Sequence, residues 1–94
     1  MEITINDLLN INNPNIIDIR SNQKFNDNHI PGSINISYDN LVNNHSKSLN
    51  KGENYYLYCQ KGITSRTVSQ ILRAYGYNAF SVIGGYESYI LKKI

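Results

Sequence analysis

Only one cysteine occurs in the 94 residues, Cys59. That excludes an intramolecular disulfide and any zinc site built from several cysteines. Charge is sparse: charged residues make up 17% and the net charge is +2. Lys and Arg are scattered without a basic stripe, so neither nucleic acid nor a membrane is expected as a partner. No apolar run approaches the length that crosses a bilayer. The opening Met1-Glu2-Ile3-Thr4-Ile5-Asn6-Asp7 lacks a basic segment followed by an apolar one, so no secretory signal is expected. A reducing cytoplasm is the expected location, and it suits a thiol that must stay free. Repeats, linkers and low-complexity tracts are also missing. What remains is 40% hydrophobic and reads as one globular domain over residues 1–94.

Short apolar runs alternate with amphipathic or polar stretches. Ile3-Thr4-Ile5 reads as a short first strand, with Asn6 or Asp7 capping a brief helix that carries Leu8, Leu9 and Ile11. Ile16-Ile17-Asp18-Ile19 reads as a buried strand ending in polar groups, and Ser21 as the cap of a helix through Phe25. His29-Ile30-Pro31-Gly32 is a turn into a strand over Ser33-Ile34-Asn35-Ile36. A short helix is expected over 37–44, with Leu41 and Val42 inward, and a polar surface loop over 43–54. Tyr55-Tyr56-Leu57-Tyr58 is a strand with its tyrosines in the core. Val68, Ile71, Leu72 and Tyr75 recur at helical spacing, and Gly76 follows as a C-terminal cap. The last strand spans 78–83, and a final helix carries Tyr86, Tyr89, Ile90 and Ile94. Strand and helix alternate repeatedly at short intervals, which argues for a three-layer α/β domain with a mostly parallel sheet.

Cys59 sits between the strand of tyrosines and the best helix in the chain. Backbone N–H groups converge there and the helix dipole is positive, which favours thiolate over thiol. The connecting loop is Gln60-Lys61-Gly62-Ile63-Thr64-Ser65-Arg66. Gly62 lets it curl, the hydroxyls of Thr64 and Ser65 can donate hydrogen bonds, and Lys61 and Arg66 add positive charge. Ligands of parallel sheets gather at the carboxyl ends of strands. Asp18, Arg20, Cys59 and Gly84-Gly85 all fall at such ends, and Asp18 with Arg20 reads as a structural pair shaping a pocket rim. His29 reads as a turn histidine satisfied by backbone groups, and His45 as solvent-exposed. Gly84-Gly85 reads as a backbone turn, since no dinucleotide pattern surrounds it.

Four segments, taken in order, resemble the single-domain rhodanese family of thiosulfate sulfurtransferases. They are Ile17-Asp18-Ile19-Arg20, the run from Phe25 to Ile36 centred on His29-Ile30-Pro31-Gly32, the loop from Tyr58 to Arg66, and Val82-Ile83-Gly84-Gly85-Tyr86. The resemblance covers nearly the whole chain. It implies a rhodanese-like domain, a five-stranded, mostly parallel sheet with helices on both faces. It also implies covalent catalysis by Cys59 through a persulfide, with residues 60–66 binding the substrate. The donor would be a small anion, thiosulfate or a persulfide, and the acceptor a thiol, a protein or cyanide. No metal or organic cofactor is implied. Departures from the family pattern are Lys24, Asn28, Ser33 and above all Thr64, which stands where the family often has Arg.

Two other classes compete. A cysteine phosphatase or arsenate reductase places Arg six positions after its cysteine to grip an oxyanion bidentately. That position is Ser65 here. A non-catalytic or sulfur-carrier module would dock a partner and relay sulfur to it.

Overall fold

The computed structural model describes residues 1–94. Its elements are β1 (Glu2–Ile3), α1 (Ile5–Leu9), β2 (Asn15–Asp18), α2 (Asn22–Asp27), β3 (Ile34–Asn35), α3 (Tyr38–Asn43), α4 (His45–Ser48), β4 (Asn54–Tyr58), α5 (Ile63–Ala74), β5 (Asn78–Val82) and α6 (Gly85–Lys93). The strands form one sheet in the order β1-β5-β4-β2-β3. Every pairing is parallel, with Ile17 of β2 opposite Leu57 of β4 and Leu57 opposite Ser81 of β5. A parallel sheet needs a crossover between paired strands, and the helices supply them.

Side chains alternate between the two faces of a strand, and this parity sorts the core. Ile17, Ile19, Tyr55, Leu57, Cys59 and Ala79 face one layer, where they pack against Leu41 of α3, Leu49, and Val68 and Leu72 of α5. Ile16, Tyr56, Tyr58 and Val82 face the other layer, against Ile5 and Leu8 of α1, Ile30 and Tyr89 of α6. Both faces of the sheet are therefore covered, as all-parallel sheets require. Cys59 extends the parity of Tyr55 and Leu57, so it emerges beneath the start of α5.

Several local expectations shift. Thr4 caps α1 by accepting from the Asp7 N–H at 3.1 Å, so the first strand ends at Ile3, not Ile5. Ser21 and Ser37 cap α2 and α3. The polar stretch 43–54 holds the short helix α4 and buries Leu49. His45 is half-buried, with Nδ1 2.8 Å from the Tyr77 hydroxyl and its ring 4.4 Å from that of Tyr75. Two aromatic partners supply an apolar surface that a polar run does not advertise. The buried stripe of α5 is Ser65, Val68, Ser69 and Leu72, while Tyr75 is exposed. The stripe is rotated because two small serines occupy it, and Ser69 satisfies its hydroxyl locally on the Arg66 carbonyl at 3.0 Å. Ile94 is exposed beyond α6. His29 is satisfied as expected, with Nδ1 2.8 Å from the Phe25 carbonyl oxygen.

Candidate active site

Cys59 leaves the carboxyl end of β4, and the chain turns through Gln60-Lys61-Gly62 straight into α5. The expected loop of residues 60–66 is shorter than its sequence suggests, because Ile63 to Arg66 already form the first turn of α5. Gly62 makes the reversal possible at φ +91°, and a Cβ there would lie 2.8 Å from the Gly84 nitrogen. Gly85 closes the turn from the other side, where a Cβ would collide with the Cys59 carbonyl oxygen. The Tyr86 N–H donates to that carbonyl at 2.8 Å, and the Glu87 N–H to the Gln60 carbonyl at 3.1 Å. The expected role of Gly84-Gly85 as a backbone turn thus has a reason: it lets the start of α6 lie against the Cys59 turn.

The sulfur is surrounded by donors. The N–H groups of Gly62 and Ser65 point at Sγ from 3.1 and 3.3 Å, and the Ser65 hydroxyl lies 3.4 Å away. Burial pushes the Cys59 thiol up. Hydrogen bonds from the Ser65 hydroxyl and from the N–H groups of Ser65, Gly62 and Lys61 outweigh burial and hold it below its ordinary value. These donors stabilise the anionic form selectively. Cys59 is 8% exposed, and it lines a cleft of about 310 Å³ with Gln60, Lys61, Ile63 and Thr64.

Ser81 of β5 belongs to the same arrangement and carries no signal in the sequence. Its hydroxyl is fully buried, 2.7 Å from that of Ser65. The Ser65 hydroxyl has a single proton. When it donates to the thiolate, Ser81 must be the donor to Ser65.

The remaining expected site residues fall in different places. Gln60, Lys61, Ile63 and Thr64 line the cleft, and neither Ile63 nor Thr64 reaches the sulfur by a hydrogen bond. Arg66 does not join them: its Nε lies 3.5 Å from the Glu2 carboxylate at the edge of the sheet. Each helical residue is rotated by about 100° from the last, so a helix that aims Ser65 at the sulfur turns Arg66 away. Asp18 is fully buried and does not reach the rim surface. It holds Arg20 through paired contacts, Nη2 at 2.8 Å and Nε at 3.0 Å to Oδ2. Burial works against the Arg20 charge, and Asp18 outweighs it, leaving the guanidinium above its ordinary value. The guanidinium also donates to the Asn28 carbonyl, stacks 4.0 Å from the Tyr86 ring centre and approaches Gln60 Oε1 at 3.5 Å. Beneath it, burial is the main cause that pushes the Tyr58 hydroxyl up to about 12. That hydroxyl accepts the Ile30 N–H at 3.1 Å.

Other depressions are chemically poorer. One of about 240 Å³ lies at the amino ends of β2 and β4, beside Asn15, Ile17 and Tyr55. Another of about 530 Å³ lies between Asn35, Asn40 and Lys47. Neither contains the cysteine, and the first is at the end of the sheet opposite to where ligands of parallel sheets gather. No group of three or more His, Cys, Asp and Glu side chains is placed to hold a metal ion, and no helix is long and apolar enough to cross a membrane.

Comparison with known proteins gives a consistent picture. The model of the rhodanese-like domain matches residues 4–92. A protein named thiosulfate sulfurtransferase from Coxiella burnetii is 31% identical over 75 residues, 79% of this chain and 69% of its own. A tRNA sulfurtransferase from Thermoplasma acidophilum is 37% identical over 65 residues, and the match spans 69% of this chain but only 13% of that protein. A rhodanese-related protein from Thermoplasma volcanium superposes with a TM-score of 0.87 at 29% identity, over 97% of this chain and 91% of that one. A turn that aims main-chain N–H groups at a lone sulfur, on a five-stranded parallel sheet with helices on both faces, agrees with these likenesses: the chain belongs to the rhodanese-like domain family.

Proposed function

We propose that the protein is a sulfurtransferase that carries sulfane sulfur on Cys59. The observation that supports it most is the convergence of the Gly62 and Ser65 N–H groups and the Ser65 hydroxyl on Sγ. In the first step the thiolate bonds to the outer sulfur of the donor as the donor's S–S bond breaks. From thiosulfate, sulfite leaves with the electron pair; from a persulfide, a thiolate leaves. In the second step a thiol, a protein thiolate or cyanide attacks the terminal sulfur of the Cys59 persulfide, and Cys59 departs as thiolate. This is covalent double displacement. Donors aimed at an anionic sulfur stabilise both the nucleophile and the persulfide anion. A thiol that must stay free suits a reducing compartment, and we place the activity in the cytoplasm.

A phosphatase or arsenate reductase has less support. The sixth residue after Cys59 is Ser65, whose N–H already faces Sγ, and Arg66 rests against Glu2. The reduced protein exposed to thiosulfate, or separately to an organic persulfide, should gain the mass of one sulfur. Cys59→Ser should gain none, and cyanide should release the sulfur as thiocyanate. Failure of folded, reduced protein to gain mass from either donor rejects the reading.

A further inference from the structure

We propose that the donor matched to this site is an organic persulfide, R–S–SH, with an uncharged apolar R group, and not an inorganic dianion such as thiosulfate. The assignment rests on the sulfurtransferase reading and specifies its substrate class. A dianion binds where cations or main-chain N–H groups face it, and the Gly62 and Ser65 N–H groups at the start of α5 are already turned onto Sγ. Lys61 is the one cation lining the Cys59 cleft. Glu87 lines the adjoining cleft, so the residues of the two clefts together carry no net formal charge. Neither Arg66 nor Arg20 makes up the difference. Arg66 lies against Glu2, and Arg20 is committed to Asp18 with only 5% of its side chain exposed.

Apolar surface, by contrast, is plentiful at this mouth. Ile63 is 66% exposed on the wall of the Cys59 cleft. Gln60 lines that cleft and also a second of about 330 Å³, which Tyr86, Glu87, Ile90 and Leu91 complete. Ile90 is 38% and Leu91 72% exposed. With the donor's terminal sulfur at Sγ, its R group extends past Gln60 onto Tyr86, Ile90 and Leu91. Each methylene improves binding by about fourfold where it is fully buried, and by less on an open surface such as this one. Sγ of Cys59 forms a bond to the terminal sulfur as the R–S–S bond breaks. The electron pair leaves on R–S⁻, the terminal proton stays on the new Cys59 persulfide, and no external oxidant or reductant enters.

The test measures second-order rate constants for sulfur gain by Cys59, read by quenched intact mass. Three donors are compared: thiosulfate, n-butyl persulfide, and the persulfide of mercaptoethanesulfonate, which has the same reacting bond but an anionic tail. Butyl persulfide should exceed both others by about tenfold or more. Ile90→Lys, a change on an exposed helix face, should narrow the butyl-to-sulfonate ratio several-fold. Equal or faster transfer from thiosulfate or from the sulfonate donor overturns the proposal while the sulfurtransferase reading stands. A ratio unmoved by Ile90→Lys overturns the placement of the R group. Sulfur gain from none of the three overturns both readings.

Discussion

Ser81 and Ser65 decide which proton points at Cys59. Ser81→Ala leaves the Ser65 hydroxyl without its buried partner 2.7 Å away, free to turn from the sulfur. Alkylation of the thiol by iodoacetamide at neutral pH should then slow by roughly tenfold, as for loss of one hydrogen bond to a charged group. Ser81→Thr, which keeps the hydroxyl, should recover part of the rate; an unchanged rate in Ser81→Ala would show that the relay is idle. The same thiolate links stability to pH. Cys59 sits below its ordinary value in the folded protein, against about 8.5 for a free cysteine. The folded state therefore holds fewer protons than the unfolded state between those two values. The stability this contributes is fully present above the free-thiol value and is lost as pH falls through the lowered one. The difference in unfolding free energy between wild type and Cys59→Ser should rise with pH across that window and level off on either side. Cys59, Gly62 and Ser65 were legible from residue types and spacing, since a thiol before a glycine turn and a helix start implies N–H donors. Ser81 was not, because a serine within a strand has no local signature and meets the Ser65 hydroxyl only by facing α5.

At the scale of elements, the site is the place where β4, α5 and α6 meet end to end, and two glycines permit that approach. Gly85 has φ +58° and no room for a Cβ beside the Cys59 carbonyl. Gly85→Ala should cost about 1–2 kcal/mol from the left-handed backbone and about 1–3 kcal/mol more from the collision. Gly52, with nothing within 4 Å of a Cβ, is the control: Gly52→Ala should leave the urea midpoint nearly unchanged. Equal effects of the two substitutions would mean that the α6 turn is not tightly seated. Most elements were readable because each announces itself locally, as in the serine caps of α2 and α3. The exceptions share a cause. α4 is four residues of polar sequence and is held by tertiary contacts of His45 and Leu49. The stripe of α5 contains two serines, which apolar periodicity does not count.

Across the whole molecule, one buried ion pair ties four segments together. Asp18 at the end of β2 fixes Arg20, and Arg20 reaches the Asn28 carbonyl and the Tyr86 ring. Asn35 of β3 donates to the carbonyls of Asp18 and Arg20 at 2.8 and 3.0 Å. Asp18→Asn strands the guanidinium among buried groups and should destabilise the fold by about 3–5 kcal/mol, measured by chemical unfolding. A loss below 1 kcal/mol would mean that Arg20 escapes to solvent. The sequence by itself determined the alternation of strands and helices, the end of the sheet at which Cys59 emerges and the closeness of N–H donors to its sulfur. All of these follow from periodicity, turn chemistry and neighbours a few residues apart. Tertiary structure alone decided that Ser81 stands behind Ser65, that Arg66 turns toward Glu2, and that Glu87, Ile90 and Leu91 border the mouth. Such placements depend on helix rotation and strand order, which are set by packing between segments distant in the chain.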